Sequence, residues 1–153
     1  MEKRYQVFIS STFTDLKDER QAVLRAVLEI DHMPAGMELF PASDDTAWQL
    51  IKDVIDASDY YLLIIGGRYG SLDEKGIGYT EKEYDYARAS NKPVLALLHE
   101  KPDSLARERP TRTKLLGRSC RHFERRWRST TRAYIGRRSK TSRRYCQMLW
   151  IAA

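Results

Sequence analysis

At 153 residues the chain has the length of one domain built on a single core. Its charge is unevenly spread: residues 1–103 hold 12 basic against 19 acidic residues, and residues 104–153 hold 15 against 2, so a body of net −7 joins a tail of net +13. No apolar run approaches the roughly 20 residues of a membrane span, and the start, MEKRYQVFIS, carries no signal-peptide core.

The cysteines, Cys120 and Cys146, both fall in the tail. That excludes a disulfide scaffold for the body and fits a reducing, cytoplasmic setting. His32, His99 and His122 stand apart, without metal-ligand spacing, and read as surface or loop residues. No metal and no resident cofactor are expected.

In chain order, YQVFIS (5–10) predicts a short apolar strand. A helix follows from about Thr14 to Ile30, where Leu16, Val23, Leu24, Val27, Leu28 and Ile30 recur at helical spacing. Thr14 or Asp15 can cap it. GMELF (36–40), between Pro34 and Pro41, predicts a second strand. DDTAWQLIKDVIDAS predicts a second amphipathic helix with Trp48, Ile51 and Ile55 on one face. DYYLLIIGG (59–67) is a nearly unbroken apolar run, as expected of a central strand covered on both faces. A third helix is expected over about Thr80 to Ser90, and KPVLALLH (92–99) closes the pattern as a fourth strand.

This alternation predicts an α/β domain: a flavodoxin-like (Rossmann-like), doubly wound parallel sheet of strand order 2-1-3-4. In that order the ligand crevice lies beyond the ends of strands 1 and 3, whose following helices go to opposite faces. Two loops are thereby singled out, SSTFT (10–14) and GGRYGSLDEKGIGYT (66–80), both rich in Gly, Ser and Thr. Such residues also serve any strand-to-helix turn.

Two glutamates open the third helix. Thr80 and Glu83 fit a capping box, and Glu81 fits the positive end of the helix dipole. Alternatively Glu83 faces the crevice and stabilises the oxocarbenium-like species formed when a ribose loses its base. Arg68, with Ser10, Ser11 and Thr12, would then hold phosphate or ribose hydroxyls, and Tyr69 or Phe13 would stack on a base. Gly67 and Thr80 complete the nucleotide-binding set. Glu19 and Arg20 read either as surface or helix-capping ion pairs or as residues that order the crevice.

VFISSTFTDLKDER, SDYYLLIIGGRYGS and GYTEKEYDYA resemble the TIR-like family catalogued as domain of unknown function 4062, over about residues 4–103. The resemblance implies a TIR-like domain at the N-terminus of larger bacterial proteins, ahead of NTPase or helical-repeat modules, in signalling or phage defence. The wider group includes TIR domains and nucleoside deoxyribosyltransferases, in which a glutamate on the third helix acts in N-glycosidic bond cleavage. The transferases carry a Thr, a Glu three residues later and an Ala four beyond that. Thr80, Glu83 and Ala87 keep this spacing, so the resemblance makes Glu83, rather than Glu81, the candidate catalytic residue. TIR enzymes have a Cys-containing segment just before their glutamate, where this chain has YTEK. The resemblance implies NAD or a related nucleotide as substrate. The other function class it leaves open is a non-enzymatic module that self-associates or joins another TIR-like or effector domain.

From about Ser104 the apolar patterning stops, and Arg outnumbers Lys by 13 to 2. Three readings of residues 104–153 stand: a nucleic-acid arm with Phe123, Trp127, Tyr134 and Tyr145 among its arginines, a disordered extension, or an out-of-frame segment. The resemblance itself stops near Lys101 to Ala106. On the out-of-frame reading the fourth strand becomes an exposed edge.

Overall fold

The computed structural model describes residues 3–12, 15–36, 45–66, 68–99, Arg125 and 133–135. Strand β1 (Gln6–Ser11) leads into helix α1 (Lys17–Glu29), then β2 (Met33–Ala35), α2 (Asp45–Ala57), β3 (Tyr60–Ile65), α3 (Tyr79–Ala89), β4 (Val94–Leu98) and β5 (Ala133–Ile135). All strand pairs are parallel, in the order β2-β1-β3-β4-β5. The expected 2-1-3-4 order is therefore present, with a fifth strand added at the β4 side.

Alternation along the central strands divides the core in two. Phe8 of β1 and Tyr61, Leu63 and Ile65 of β3 face α2 and α3, joining Ile51, Ile55, Tyr84 and Ala87. Val7, Ile9, Leu62 and Ile64 face the other way, against Leu16, Val23 and Val27 of the α1 segment. Burial on both faces explains why DYYLLIIGG reads as a continuous apolar run. It also puts α1 and α3, the helices that follow β1 and β3, on opposite faces, which opens the crevice between the two strand ends.

Three expectations are corrected. The second strand lies at Met33–Ala35 and contains Pro34, whereas residues 37–40 of the expected strand lie outside the described residues. Proline is tolerated because β2 is an edge: the Met33 amide donates to the Tyr5 carbonyl, so the next residue's missing N–H faces away from β1. At the start of α1, the N-cap position is Leu16 and makes no side-chain cap bond. The Asp15 carboxylate instead accepts the Thr12 hydroxyl, and Thr14 lies outside the described residues. Finally, β4 is not an exposed edge, because Ala96, Leu97 and Leu98 pair with Ala133, Tyr134 and Ile135 of the tail. Ladder bonds are made by backbone groups, so three residues join a sheet without any apolar periodicity around them.

Candidate active site

The C-terminal end of β1 brings Ser10, Ser11 and Thr12 to the crevice, and the segment after β3 brings Gly66, Arg68 and Tyr69. Thr12, Ile64, Ile65, Gly66, Arg68, Tyr69 and Thr80 line a cavity of about 10 Å³. That is room for about one water, so the described walls of the crevice are nearly closed. Gly70 holds the loop tight: its φ of +86° suits glycine, and a Cβ there would meet Thr12 Cγ2 at 2.9 Å. Beyond it, Asp73 accepts the amides of Lys75 and Ile77, and Leu72 bridges to Gly78, where the chain turns into α3.

Helix α3 starts two residues earlier than a Thr80 cap requires. Its N-cap is Gly78, with no side-chain cap bond, so Thr80 is the second residue of the helix. The capping box is thereby overturned. Glu83 turns inward, where it is 7% exposed and accepts a hydrogen bond from Ser10 Oγ at 2.5 Å. Burial pushes its carboxyl up to about 7, against smaller opposing effects of the Ser10 hydroxyl and the Arg20 guanidinium. Glu81, which the helix dipole alone would leave at the surface, is also buried and accepts the Tyr69 hydroxyl.

Tyr69 therefore lines the crevice without offering a stacking face: it is 7% exposed, with its ring packed on Gly78. The other aromatic expected to stack, Phe13, lies outside the described residues, as does Gly67. Of the expected set, Thr12, Arg68, Tyr69 and Thr80 line the cavity, whereas Ser10 meets Glu83 and Ser11 meets Arg20 at the end of β1.

The structure decides between the two readings of Arg20 and places two further residues. Arg20 is 6% exposed and donates from Nη1 to Ser11 Oγ at 3.0 Å, so it belongs to the crevice rather than to a surface ion pair. His99 is not isolated, since its Nε2 lies 3.1 Å from Glu19 Oε1. Tyr61 is fully buried on the Glu83 side of the sheet. The signal for Arg20 was its place three residues past Lys17 in the first turns of α1, which points it back at the β1 end. Nothing in the sequence marked Tyr61. Among the described residues, no group of His, Cys, Asp and Glu is placed to hold a metal ion.

The domain of unknown function (DUF4062) matches residues 6–143. This chain belongs to that family. The match runs well past Asp103 and takes in most of the Arg-rich segment, including β5. No curated protein matches the chain. Among solved structures it is similar to the CMP N-glycosidase BcmB of Clostridium botulinum, with 18% identity and a TM-score of 0.54, over 97% of this chain and 99% of that one. At that identity the likeness is one of fold. Among the described residues, no helix is long and apolar enough to cross a membrane.

Proposed function

We propose that this domain binds a nucleotide at the ends of β1 and β3 and hydrolyses its N-glycosidic bond, with Glu83 as the carboxylate at the reacting carbon. One observation carries the reading: Glu83 spends its hydrogen bond on Ser10 of β1, across the fold, and not on its own helix start. With its pKa raised to about 7, Glu83 is ionised in part of the molecules at neutral pH, and that ionised form is the one that can meet a developing cation.

The chemistry follows from that placement. The bond from C1′ to the base nitrogen breaks and its electron pair leaves with the base; nicotinamide departs neutral from its pyridinium form, whereas cytosine takes up a proton, and water adds at C1′ and releases one. Ionised Glu83 stabilises the cationic C1′, or bonds to it until water replaces the carboxylate. Ser10 holds the carboxylate in orientation, while Arg68, Ser11 and Thr12 hold phosphate or ribose oxygens. The substrate class is a nucleotide of the NAD or CMP kind, the second suggested by the structural likeness to BcmB. A role in bacterial signalling or antiviral defence, in the cytoplasm, follows from the TIR-like resemblance and belongs to the same proposal.

A cavity with room for about one water between the described residues leaves a second reading, in which the domain is a non-enzymatic module that assembles with like domains. Turnover separates the two. The purified full chain, incubated with NAD and CMP, is expected to release nicotinamide or cytosine, with activity rising as pH passes upward through about 7. Glu83→Gln should lower kcat by about 1,000-fold or more. A wild-type chain that neither turns over nor binds either nucleotide sinks the catalytic reading, and sedimentation of the same sample then tests self-association.

A further inference from the structure

The Tyr61 phenol stands in the deepest layer of the site with no assigned task. On β3 it is the register partner of Phe8, whose ring it stacks on at 5.6 Å and 12°. It is 0% exposed, and its hydroxyl makes no hydrogen bond of ordinary geometry among the described residues. A buried hydroxyl left unmatched is destabilising, so a core that needed only the ring would do better with phenylalanine. The hydroxyl is not remote from the site. Burial raises the phenol well above its ordinary pKa, the Glu83 charge raises it further, and the Ser10 hydroxyl acts in the opposite sense. Ser10 sits two residues beyond Phe8 on the same face of β1, diagonal to Tyr61.

We infer that Tyr61 is a positioning residue: its O–H turns onto Ser10 Oγ when Glu83 is ionised, forming a Tyr61–Ser10–Glu83 chain that holds the carboxylate. A hydroxyl that accepts one hydrogen bond donates a stronger one, so the chain strengthens the Ser10 bond to Glu83 in the charged form. In the protonated form that demand is weaker. The charged and titratable groups around the chain are few. Arg20 comes from α1 and acts on both Glu83 and Tyr61, and Tyr84 comes from α3. β1 adds the Ser10 hydroxyl, and α2 contributes the apolar Ile51 and Ile55 to the same cluster. This inference rests on the catalytic reading of Glu83 for its purpose, but its physical content is a proton affinity that exists with or without turnover.

The test is a titration of the Glu83 carboxyl in the full chain carrying ¹³C-labelled glutamate, its resonance identified by its loss in Glu83→Gln. Tyr61→Phe is expected to raise the Glu83 midpoint by about half a pH unit, because the ionised form loses support. In a Ser10→Ala background, where the link is cut, Tyr61→Phe should move it far less. A midpoint that stays put or falls in Tyr61→Phe overturns the inference, and so does an equal rise with and without Ser10. If the midpoint behaves as expected while no nucleotide is cleaved, the chain stands and the glycosidase reading falls. If cleavage depends on Glu83 while the midpoint ignores Tyr61, the reverse holds. With an active enzyme, Tyr61→Phe should shift the acid limb of kcat upward by the same amount and leave KM nearly unchanged.

Discussion

Ser10 and Ser11 are consecutive on β1 and serve opposite faces of the sheet end. Ser10 donates to Glu83 in a layer closed over by α3, whereas Ser11 accepts from Arg20 on the α1 side, beside the half-exposed Glu19–His99 pair. Both faces hold a glutamate, and burial pushes the Glu83 carboxyl up to about 7, whereas the Glu19 side chain stays 34% exposed. Water makes the difference. A charge that keeps part of its hydration needs little from the protein, and a charge that loses it must be paid for by hydrogen bonds or else neutralise. The Ser10 face thus keeps chemical potential in store at neutral pH, and the Ser11 face supplies scaffolding.

Stability against pH sharpens that contrast most. Folded Glu83 holds its proton up to about pH 7, whereas the unfolded chain releases it near 4.5. Its contribution to stability is therefore fully present below pH 4.5, falls as pH rises to about 7, and stays lost above that. Glu83→Gln cannot ionise, and its carbonyl can take the same Ser10 bond. The variant should gain about 3 kcal/mol over wild type at pH 8 and almost nothing at pH 4. Urea unfolding of both chains at the two pH values measures this, and a difference that ignores pH would mean that Glu83 is hydrated in solution. Together with the activity loss, a more stable and inactive variant is the expected signature of a site that stores strain for function.

Arg20 joins the two faces and so carries the next largest effect. Its guanidinium bonds Ser11, and its charge also lowers the proton affinity of Glu83. Arg20→Ala should cost about 2 kcal/mol, since it removes a buried side chain and its charge-assisted bond to the part-buried Ser11 hydroxyl, and should move the Glu83 midpoint upward. If stability falls while the midpoint holds, the two faces are electrically separate and the comparison breaks at that point.

The frame of the molecule was legible because apolar periodicity is a strong signal when a strand is buried on both faces. DYYLLIIGG and the α1 repeat of Leu16, Val23 and Val27 place β3 and α1 with little ambiguity. The crevice was legible too, because it follows from strand order. What failed was local and concerned backbone register. Thr80 and Glu83 satisfy the capping-box pattern, but the helix starts at Tyr79, and Glu83 lies on its buried side with Ala87 four residues on, where it meets Ser10. β2 was displaced because a proline argues against a strand unless the strand is known to be an edge. β5 was invisible for another reason: three residues between Arg132 and Gly136 carry no period, and their pairing is made by backbone alone.

The smallest effect is expected at the outer edge of the Ser11 face. Glu19 and His99 are 34% and 18% exposed in their side chains, and the pair ties the first turn of α1 to the residue after β4. A partly hydrated pair of this kind gains little over its separated members, about 0.5 kcal/mol. Glu19→Ala should therefore lower stability by about that amount and leave the titration midpoint of Glu83 in place, because the carboxylate that is lost acts through water and Arg20 stays bonded to Ser11. A loss of 2 kcal/mol or more, or a clear move of the Glu83 midpoint, would show that the outer pair holds Arg20 in position. The polar ends of both faces would then be one cooperative network in place of a dry site resting on a wet support.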